Sequence, residues 1–273
     1  GKVTYGGYGT PKINLLTLGY NAELPLQDDL TLYSFSTWSY RKAEQGQNFR
    51  LPTIVNTITT GPNGRPSGYT PTWYIEEYDY QAAFGAKGLV GEWDWDLSST
   101  YGRNQAEQGT WNNQNPSLGE ATPDHFESGT WVSSQLTSNL DLRRSVEVGL
   151  ARPLDRSWGL EQRRDTYQVQ AGDPASWIDG GYCAAPGNCA ASGAQVTNGI
   201  SPDEEASATR NSVASYVDLG INPLPQWYLG TALRSEHYNE GVAATRSGKI
   251  TTRYEFSPEF AVRGTLSNGF RAP

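Results

Sequence analysis

The sequence predicts an all-β chain, and in particular an antiparallel transmembrane β-barrel segment. Three observations support this prediction. Side chains alternate between apolar and polar with a period of two, the alternating runs are about 10 to 15 residues long, and tight turns alternate with long loops along the chain. Helical periodicity is hard to find, and 30 Gly with 16 Pro interrupt the chain too often for long helices.

The alternation is clearest in two neighbouring segments. In the segment 93–101 the odd positions carry mainly aromatic and leucine side chains, while the even positions include Asp94 and Asp96. The segment 78–87 has aromatic side chains and alanine at even positions and polar ones such as Asp79 at odd positions. Successive side chains of a strand point to opposite faces, so each segment has one apolar and one polar face.

Ten strands are predicted in this way. Later strands show the same period, with apolar markers such as Leu136 and Leu140, Val213 and Val217, and Ile250. Globular strands centre on about 5–6 residues, whereas a tilted membrane strand needs about 9–11, so the length of these runs favours a membrane wall. The predicted strands are 13–24, 30–42, 74–87, 92–103, 129–143, 157–170, 210–222, 226–239, 248–257 and 260–270.

Two of the strands, 30–42 and 157–170, change phase midway, which a β-bulge would explain. The connections differ in length: three long loops rich in Gly, Asn, Pro and Ser lie between much shorter turns. Short periplasmic turns at one end and long extracellular loops at the other are typical of an outer-membrane β-barrel. The turns are 25–29, 88–91, 223–225 and 257–258, with a longer link near 149–156, and the long loops are 43–73, 104–128 and 171–209.

Composition narrows the function. Lys and Arg number 21 against 29 Asp and Glu, a formal charge of -8, and a nucleic-acid partner is not expected because phosphate backbones bind basic surfaces. No Met is present, so we expect a processed chain or a fragment. Helical membrane spans are not expected, since no apolar run approaches the roughly 18 residues that a spanning helix needs.

A soluble β-sandwich is the alternative fold, because its strands also alternate. In a membrane wall, by contrast, the charged stripe has to face the lumen. Turning Lys249, Arg253 and Arg263 to lipid would cost about 2–4 kcal/mol each near the bilayer midplane. Strand length, loop asymmetry and aromatic side chains near strand ends favour the barrel over the sandwich.

The C-terminal segment 253–273 resembles the barrel of TonB-dependent outer-membrane receptors. Such receptors commonly carry a strand that ends Ser-x-Gly-Phe-(Arg/Lys)-Ala-Pro. Shorter segments, 159–167, 171–174 and 233–238, are similar to further hairpins of that family. The residues that match the terminal motif are Ser267, Gly269, Phe270, Arg271, Ala272 and Pro273.

The resemblance implies a 22-stranded barrel in the outer membrane of a Gram-negative bacterium, with an N-terminal plug domain and a motif that engages the TonB complex. This chain shows ten strands and no plug, so we expect residues 1–273 to be a partial barrel domain. The family implies energised import of a scarce nutrient, most often a ferric siderophore, with outer-membrane lipid and the TonB complex as partners. No cofactor of the protein itself is implied.

Two other functions stay open: a stand-alone small barrel acting as an adhesin, or an omptin-like barrel protease. The protease needs a histidine with paired carboxylates, but His237 falls on the apolar stripe and His125 is far from it in sequence. No motif of metal ligands or of a nucleophile with its base is present. We therefore expect neither an enzyme nor a metal site.

The candidate ligand-binding residues are aromatic and basic side chains on the predicted long loops. The aromatic ones can bind a ligand or pack the loops together, and the arginines can meet an anion such as a ferric chelate. The candidates are Arg65, Trp73, Arg103, Trp111, Trp177 and Tyr182.

Three further predictions concern the wall and the third loop. Arg263 and Arg271 share the polar stripe and are expected to face the plug. Cys183 and Cys189 are expected to form a disulfide, since an exported protein meets an oxidising compartment. Each strand should pair with its sequence neighbour in an open, curved sheet whose first and last strands do not meet.

Overall fold

The computed structural model describes residues 9–52, 55–239 and 244–269, and almost all regular structure in them is β. Within these ranges no helix is both long and apolar enough to span a membrane. Ten long strands form one sheet, and two short ones, β7 (Cys183–Ala185) and β8 (Asn188–Cys189), form a separate hairpin. The long strands are β1 (Lys12–Gln27), β2 (Leu30–Gly46), β3 (Thr72–Val90), β4 (Trp93–Trp111), β5 (His125–Val146), β6 (Leu154–Ala171), β9 (Ala206–Leu224), β10 (Trp227–Tyr238), β11 (Thr245–Ser257) and β12 (Phe260–Ser267).

The sheet is antiparallel throughout and follows the order of the sequence. Each long strand pairs with the next long strand, because the connecting segment returns the chain beside the strand it has just left. Strands β1 and β12 are the two edges and do not pair with each other, so the sheet is open. The predicted fold class, strand number and open topology are confirmed, and residues 9–52, 55–239 and 244–269 do not form a closed ten-stranded barrel.

Several strands extend further towards the loops than predicted. Strands β3, β4 and β5 contain 19, 19 and 22 residues, and the loops between long strands shrink to 47–71, 112–124 and 172–205. The alternation ends in polar stretches such as 103–108, yet the backbone ladder continues there because it does not depend on side-chain polarity.

The bulges that would explain the phase changes in 30–42 and 157–170 are absent. The register of β2 with β3 and of β6 with both neighbours runs without a shift, and the one shift between β1 and β2 lies at the hairpin end, between Pro25 and Gln27. The apparent change of phase in β6 has another cause. Near the loops one face of the strand carries Arg164 in place of leucine, while the other carries Tyr167 and Val169.

The sheet has two chemically different faces. The polar face consists of side chains at odd positions of β3, β5, β6, β11 and β12 and at even positions of β4, β9 and β10, and the apolar face consists of the alternate positions. On the apolar face Leu32, Ala86, Leu97, Leu140 and Leu160 form one continuous cross-strand row. Several large apolar side chains there are highly exposed, with Leu97 at 55%. Such a broad exposed apolar surface is suited to lipid contact.

The apolar face changes character towards the loops. Two tyrosine pairs mark the boundary, Tyr40 with Tyr78 (ring centroids 5.2 Å apart) and Tyr80 with Tyr101 (5.8 Å). Beyond this boundary the same face carries charges such as Arg103. Aromatic girdles flank the lipid-facing band of outer-membrane barrels, so the band lies on the half of the sheet nearer the short turns.

Candidate functional site

The polar face contains a hollow of about 990 Å³ in the half nearer the loops. Carboxylates, amides, hydroxyls and a guanidinium line it, a composition that suits water or a polar partner. The hollow spans strands β2 to β9, the middle of the sheet. Its polar-face side chains are Thr37, Asp79, Gln81, Asn104, Ser133, Gln135, Asp165, Tyr167 and Arg210.

An ionic network connects β6, β9 and β10 beside the hollow. Arg163 Nη2 donates to Glu236 Oε1 at 2.6 Å, and the same oxygen accepts from Ser212 Oγ at 2.9 Å. Arg234 Nη2 donates to Glu161 Oε1 at 2.8 Å and lies 3.5 Å from Glu236 Oε2. Glu236 is only 8% exposed, and a buried carboxylate is tolerated when it is paired in this way. The network therefore fixes the arginine side chains on this part of the polar face.

Two tyrosine–aspartate pairs occupy the turn side of the polar face in a mirrored arrangement. Tyr33 donates to Asp96 Oδ1 at 2.6 Å, and Tyr216 donates to Asp141 Oδ1 at 2.5 Å. Asp96 and Asp141 are direct cross-strand partners on β4 and β5. Each tyrosine crosses a glycine on the intervening strand: a Cβ at Gly159 would lie 2.2 Å from the Tyr216 ring. Glycine is required there because the ring lies flat over the strand.

The three long loops are held together by an amide clasp, which we define as Asn113, Gln114 and Asn115. All three side chains are fully buried. The Gln114 side chain accepts from the Ile58 N–H and donates to the Ile58 carbonyl, both at 3.0 Å. It therefore pairs with Ile58 as the backbone of a neighbouring strand would. Asn113 donates to the Gln195 carbonyl of the third loop at 2.5 Å. The clasp thus joins loop 112–124 to both of its neighbours.

Asn115 makes the densest set of bonds in the clasp. Its Nδ2 donates to the carbonyls of Ala175 and Ile178, at 2.8 and 3.0 Å, which lie in and after the short helix α1 (Pro174–Trp177). Its Oδ1 accepts from the backbone N–H and the hydroxyl of Ser117. One side chain therefore satisfies two carbonyls and two donors that no ladder reaches.

The predicted loop aromatics of the third loop take structural positions at its base. Trp177 is partly buried in α1, where its Nε1 donates to the Gly172 carbonyl at 3.3 Å. Tyr182 is 40% exposed and lies against Gly119 of the neighbouring loop. The hairpin that follows is exposed along its length, and a disulfide joins Cys183 to Cys189.

Three of the other predicted ligand residues are not on loops, so their predicted placement is wrong. Trp73 belongs to β3 and lies on the polar face, below the loops. Arg103 and Trp111 belong to β4 and lie on the opposite face, where Arg103 Nη2 donates to Gln105 at 2.8 Å. Of these four residues Arg65 alone lies on a long loop as expected, with its Nη2 3.7 Å from Asp124 Oδ2. The structure thus separates the six candidates into different surfaces.

The structure describes one of the two arginines that are expected to face a plug. Arg263 lies on the polar face of β12, directly opposite Arg253. Arg271 lies outside the described residues. In the described part of the chain no cluster of three or more His, Cys, Asp or Glu side chains could hold a metal ion.

Sequence reasoning missed the amide clasp and the Glu236 network. The run Asn112–Asn115 was a visible signal, because consecutive amide side chains in a loop can substitute for absent backbone partners. The sequence signal for the Glu236 network was weaker. It consists of the arginines and glutamates of 161–165 and 234–236, and which of them pair depends on strand register.

The chain matches the family model described as TonB dependent receptor-like, beta-barrel, over residues 4–273. It belongs to that family. Its ten-stranded open sheet is thus a part of a TonB-dependent receptor barrel, in agreement with the resemblance seen in the sequence.

Solved structures share the fold of this receptor barrel. The siderophore receptor PirA from Acinetobacter baumannii is 13% identical with a TM-score of 0.58, and a mutant of the ferric enterobactin receptor PfeA from Pseudomonas aeruginosa is 14% identical with the same score. Each match covers 98% of this chain and 35% of the other. Another PfeA mutant, with TM-score 0.58 and 14% identity, was solved in complex with enterobactin. No curated protein matches the sequence.

Proposed function

We propose that this chain forms part of the wall of a Gram-negative outer-membrane receptor that imports a scarce nutrient, with a ferric siderophore as the ligand. The observation that carries the proposal is the receptor-barrel family match across nearly the whole chain. The chain spans 35% of the length of the solved receptors that it matches, so the plug and the rest of the barrel belong to the remainder of the receptor.

The two faces of the sheet support this role. The apolar face offers exposed leucine and aromatic side chains to lipid, and the polar face offers charges and a hollow to the lumen. In the receptor the plug fills that lumen and engages the TonB complex. A ligand captured at the loops would then pass along the polar face, past Trp73 and the hollow below it.

Transport is tested in the bacterium that carries the gene. A deletion strain should lose uptake of ⁵⁵Fe-labelled siderophore under iron limitation, and the intact gene should restore it. The protein should fractionate with the outer membrane. Normal uptake of every siderophore tested, or recovery of the protein away from the outer membrane, would refute the proposal.

Arg263 and Arg271 extend the proposal to the plug. Arg263 lies opposite Arg253 on the polar face, and Arg253 pairs with Glu255 whereas Arg263 makes no ion pair with the described residues, which leaves it for an acidic group of the plug. We expect Leu substitutions at both positions to leave membrane insertion intact and to weaken plug retention or import. Val262→Leu, on the apolar face of the same strand, is the matched control. Loss of insertion in the arginine variants would show that these side chains do not face the lumen.

A further inference from the structure

The three long loops differ sharply in charge. Loop 47–71 contains two arginines and no acidic residue, a charge of +2. Loop 112–124 contains Glu120 and Asp124 and no base, and loop 172–205 contains five acidic residues and no Lys or Arg. Positive charge among these loops is therefore concentrated in loop 47–71, although the chain as a whole carries -8.

Backbone hydrogen bonds join separate segments of this loop. Arg50 and Tyr69 exchange two bonds, with N to O distances of 2.7 and 3.1 Å. Arg65 donates its N–H to the carbonyl of Ile58, the residue that follows Thr57, at 2.8 Å. Both guanidiniums lie close enough to the Tyr69 phenol to act on its pKa. We call these four residues, Arg50, Thr57, Arg65 and Tyr69, the Arg50 cluster.

Each member of the Arg50 cluster has a buried polar atom without a hydrogen-bond partner in the described structure. The atoms are Arg50 Nε, Thr57 Oγ1, Arg65 Nε and Tyr69 Oη. Tyr69 is 4% exposed and Thr57 6%, so bulk water does not satisfy their hydroxyls. Buried polar atoms are almost always bonded, and four such atoms in one loop that can all donate indicate a missing acceptor.

The local charges agree with an anionic acceptor. Arg65 has Asp124 at 3.7 Å, a carboxylate that is itself half exposed, and Arg50 makes no ion pair with the described residues. Burial raises the pKa of Tyr69 to about 12, while the two guanidiniums act in the opposite direction. The phenol therefore keeps its proton at neutral pH and remains a donor.

We propose that the Arg50 cluster is a binding site for a small oxyanion, a carboxylate or a phosphate. Two guanidiniums match the paired oxygens of either group, and the phenol and threonine hydroxyls add donors. As a point of ligand capture the site rests on the proposed receptor function, because an anionic ligand that approaches an acidic protein needs a local basic contact.

The test is direct binding to the full-length protein in detergent micelles, measured by calorimetry with citrate and with inorganic phosphate as probes. Arg50→Gln and Arg65→Gln should each lower the affinity for the more tightly bound probe about tenfold, since each removes a charge-assisted contact. Arg152→Gln, an exposed arginine at the opposite end of the sheet, should change the affinity less than twofold. Tighter binding of citrate would identify the bound group as a carboxylate. Tighter binding of inorganic phosphate would identify it as a phosphate.

Tyr69→Phe separates binding from loop folding, because it removes the hydroxyl and keeps the buried ring. It should weaken binding about threefold to tenfold and leave the protease resistance of the loops unchanged. Unchanged affinity in all three variants, or competition by chloride as strong as by the probes, would overturn the site. Uptake is measured separately from binding. If binding depends on the Arg50 cluster but the deletion strain imports every siderophore normally, the receptor proposal fails while the oxyanion site remains supported.

Discussion

The polar face of the sheet and the amide clasp satisfy their buried polar groups in different ways. On the sheet, side chains bond other side chains, as Arg163 does with Glu236 and Tyr216 with Asp141. The backbone there is already occupied by the ladder. In the clasp, side chains bond backbone: Gln114 pairs with Ile58, and Asn115 with the carbonyls after α1.

The difference predicts how each region responds to substitution. A sheet side chain that loses its partner can turn towards the lumen or find another charge, because Glu236 contacts two arginines. A clasp residue that is replaced leaves the Ile58 N–H or the Ala175 carbonyl of a neighbouring loop without another hydrogen bond among the described residues. The carbonyls of Ile58 and Ile178 keep a second donor, the N–H of Arg65 and of Gly193 respectively. Loss of one clasp side chain should therefore cost more than loss of one sheet side chain.

The largest effect is expected for Asn115→Asp. The change keeps the acceptor for Ser117 but removes both bonds to Ala175 and Ile178, and it places a carboxylate against their carbonyls. We expect the loops to lose about 2–5 kcal/mol of local stability while the strands stay folded. Hydrogen exchange of the Tyr182 and Gln195 amides measures this, with Asn188→Asp on the exposed hairpin as control. Slow exchange in the Asp variant would contradict the role given to the clasp.

The second largest effect on stability is expected for Gly159→Val. The added side chain would meet the Tyr216 ring, displace it, and break its bond to Asp141, at a cost of about 1–3 kcal/mol. Gly102→Val is the matched control, since a Cβ on Gly102, also on the polar face, has no atom nearer than 3.8 Å. Urea unfolding in lipid vesicles measures both. Equal stability of the two variants would mean that Tyr216 does not need a glycine beneath it.

Glu236→Gln should have the third largest effect on the free energy of unfolding. It removes the charge that pairs with Arg163 and Arg234, but Glu161 remains for Arg234, so we expect about 1–2 kcal/mol. Glu255→Gln, which loses an exposed pair with Arg253, should cost no more than about 0.5 kcal/mol. The same urea titration compares them, and an equal loss in both would show that burial does not strengthen the Glu236 network.

The smallest effect concerns pH at the end of the third loop. The backbone N–H and hydroxyl of Ser201 bond the Glu204 carboxylate and lower its pKa below 4.5. A lowered folded-state pKa adds stability above the ordinary pKa and loses it as pH falls through the folded value. Wild type and Glu204→Gln should therefore differ in exchange of the Ser201 amide at pH 7, and the difference should disappear as pH falls below the ordinary glutamate pKa and through the lowered folded value. A constant difference across this range would exclude the carboxylate as the cause.

Much of the sheet could be predicted because its faces meet different solvents. Period-two alternation located all ten long strands, and their order followed from hairpin connections. The strand ends were missed where the apolar face becomes polar, and Trp73, Arg103 and Trp111 were therefore assigned to loops. The clasp could not be predicted, because Gln114 and Ile58 are 56 positions apart and no local pattern specifies their contact.

Strand length also sets the height at which the clasp is held. Strand β5 has 22 residues. At about 3.3 Å per residue and a tilt of about 40°, such a strand rises roughly 55 Å, more than twice the height of about 25 Å of the apolar band of a barrel. That band occupies the half nearer the turns. In the proposed outer-membrane setting the loops therefore lie well beyond the hydrocarbon, and the proposed ligand meets them in water before it reaches the depth of the membrane.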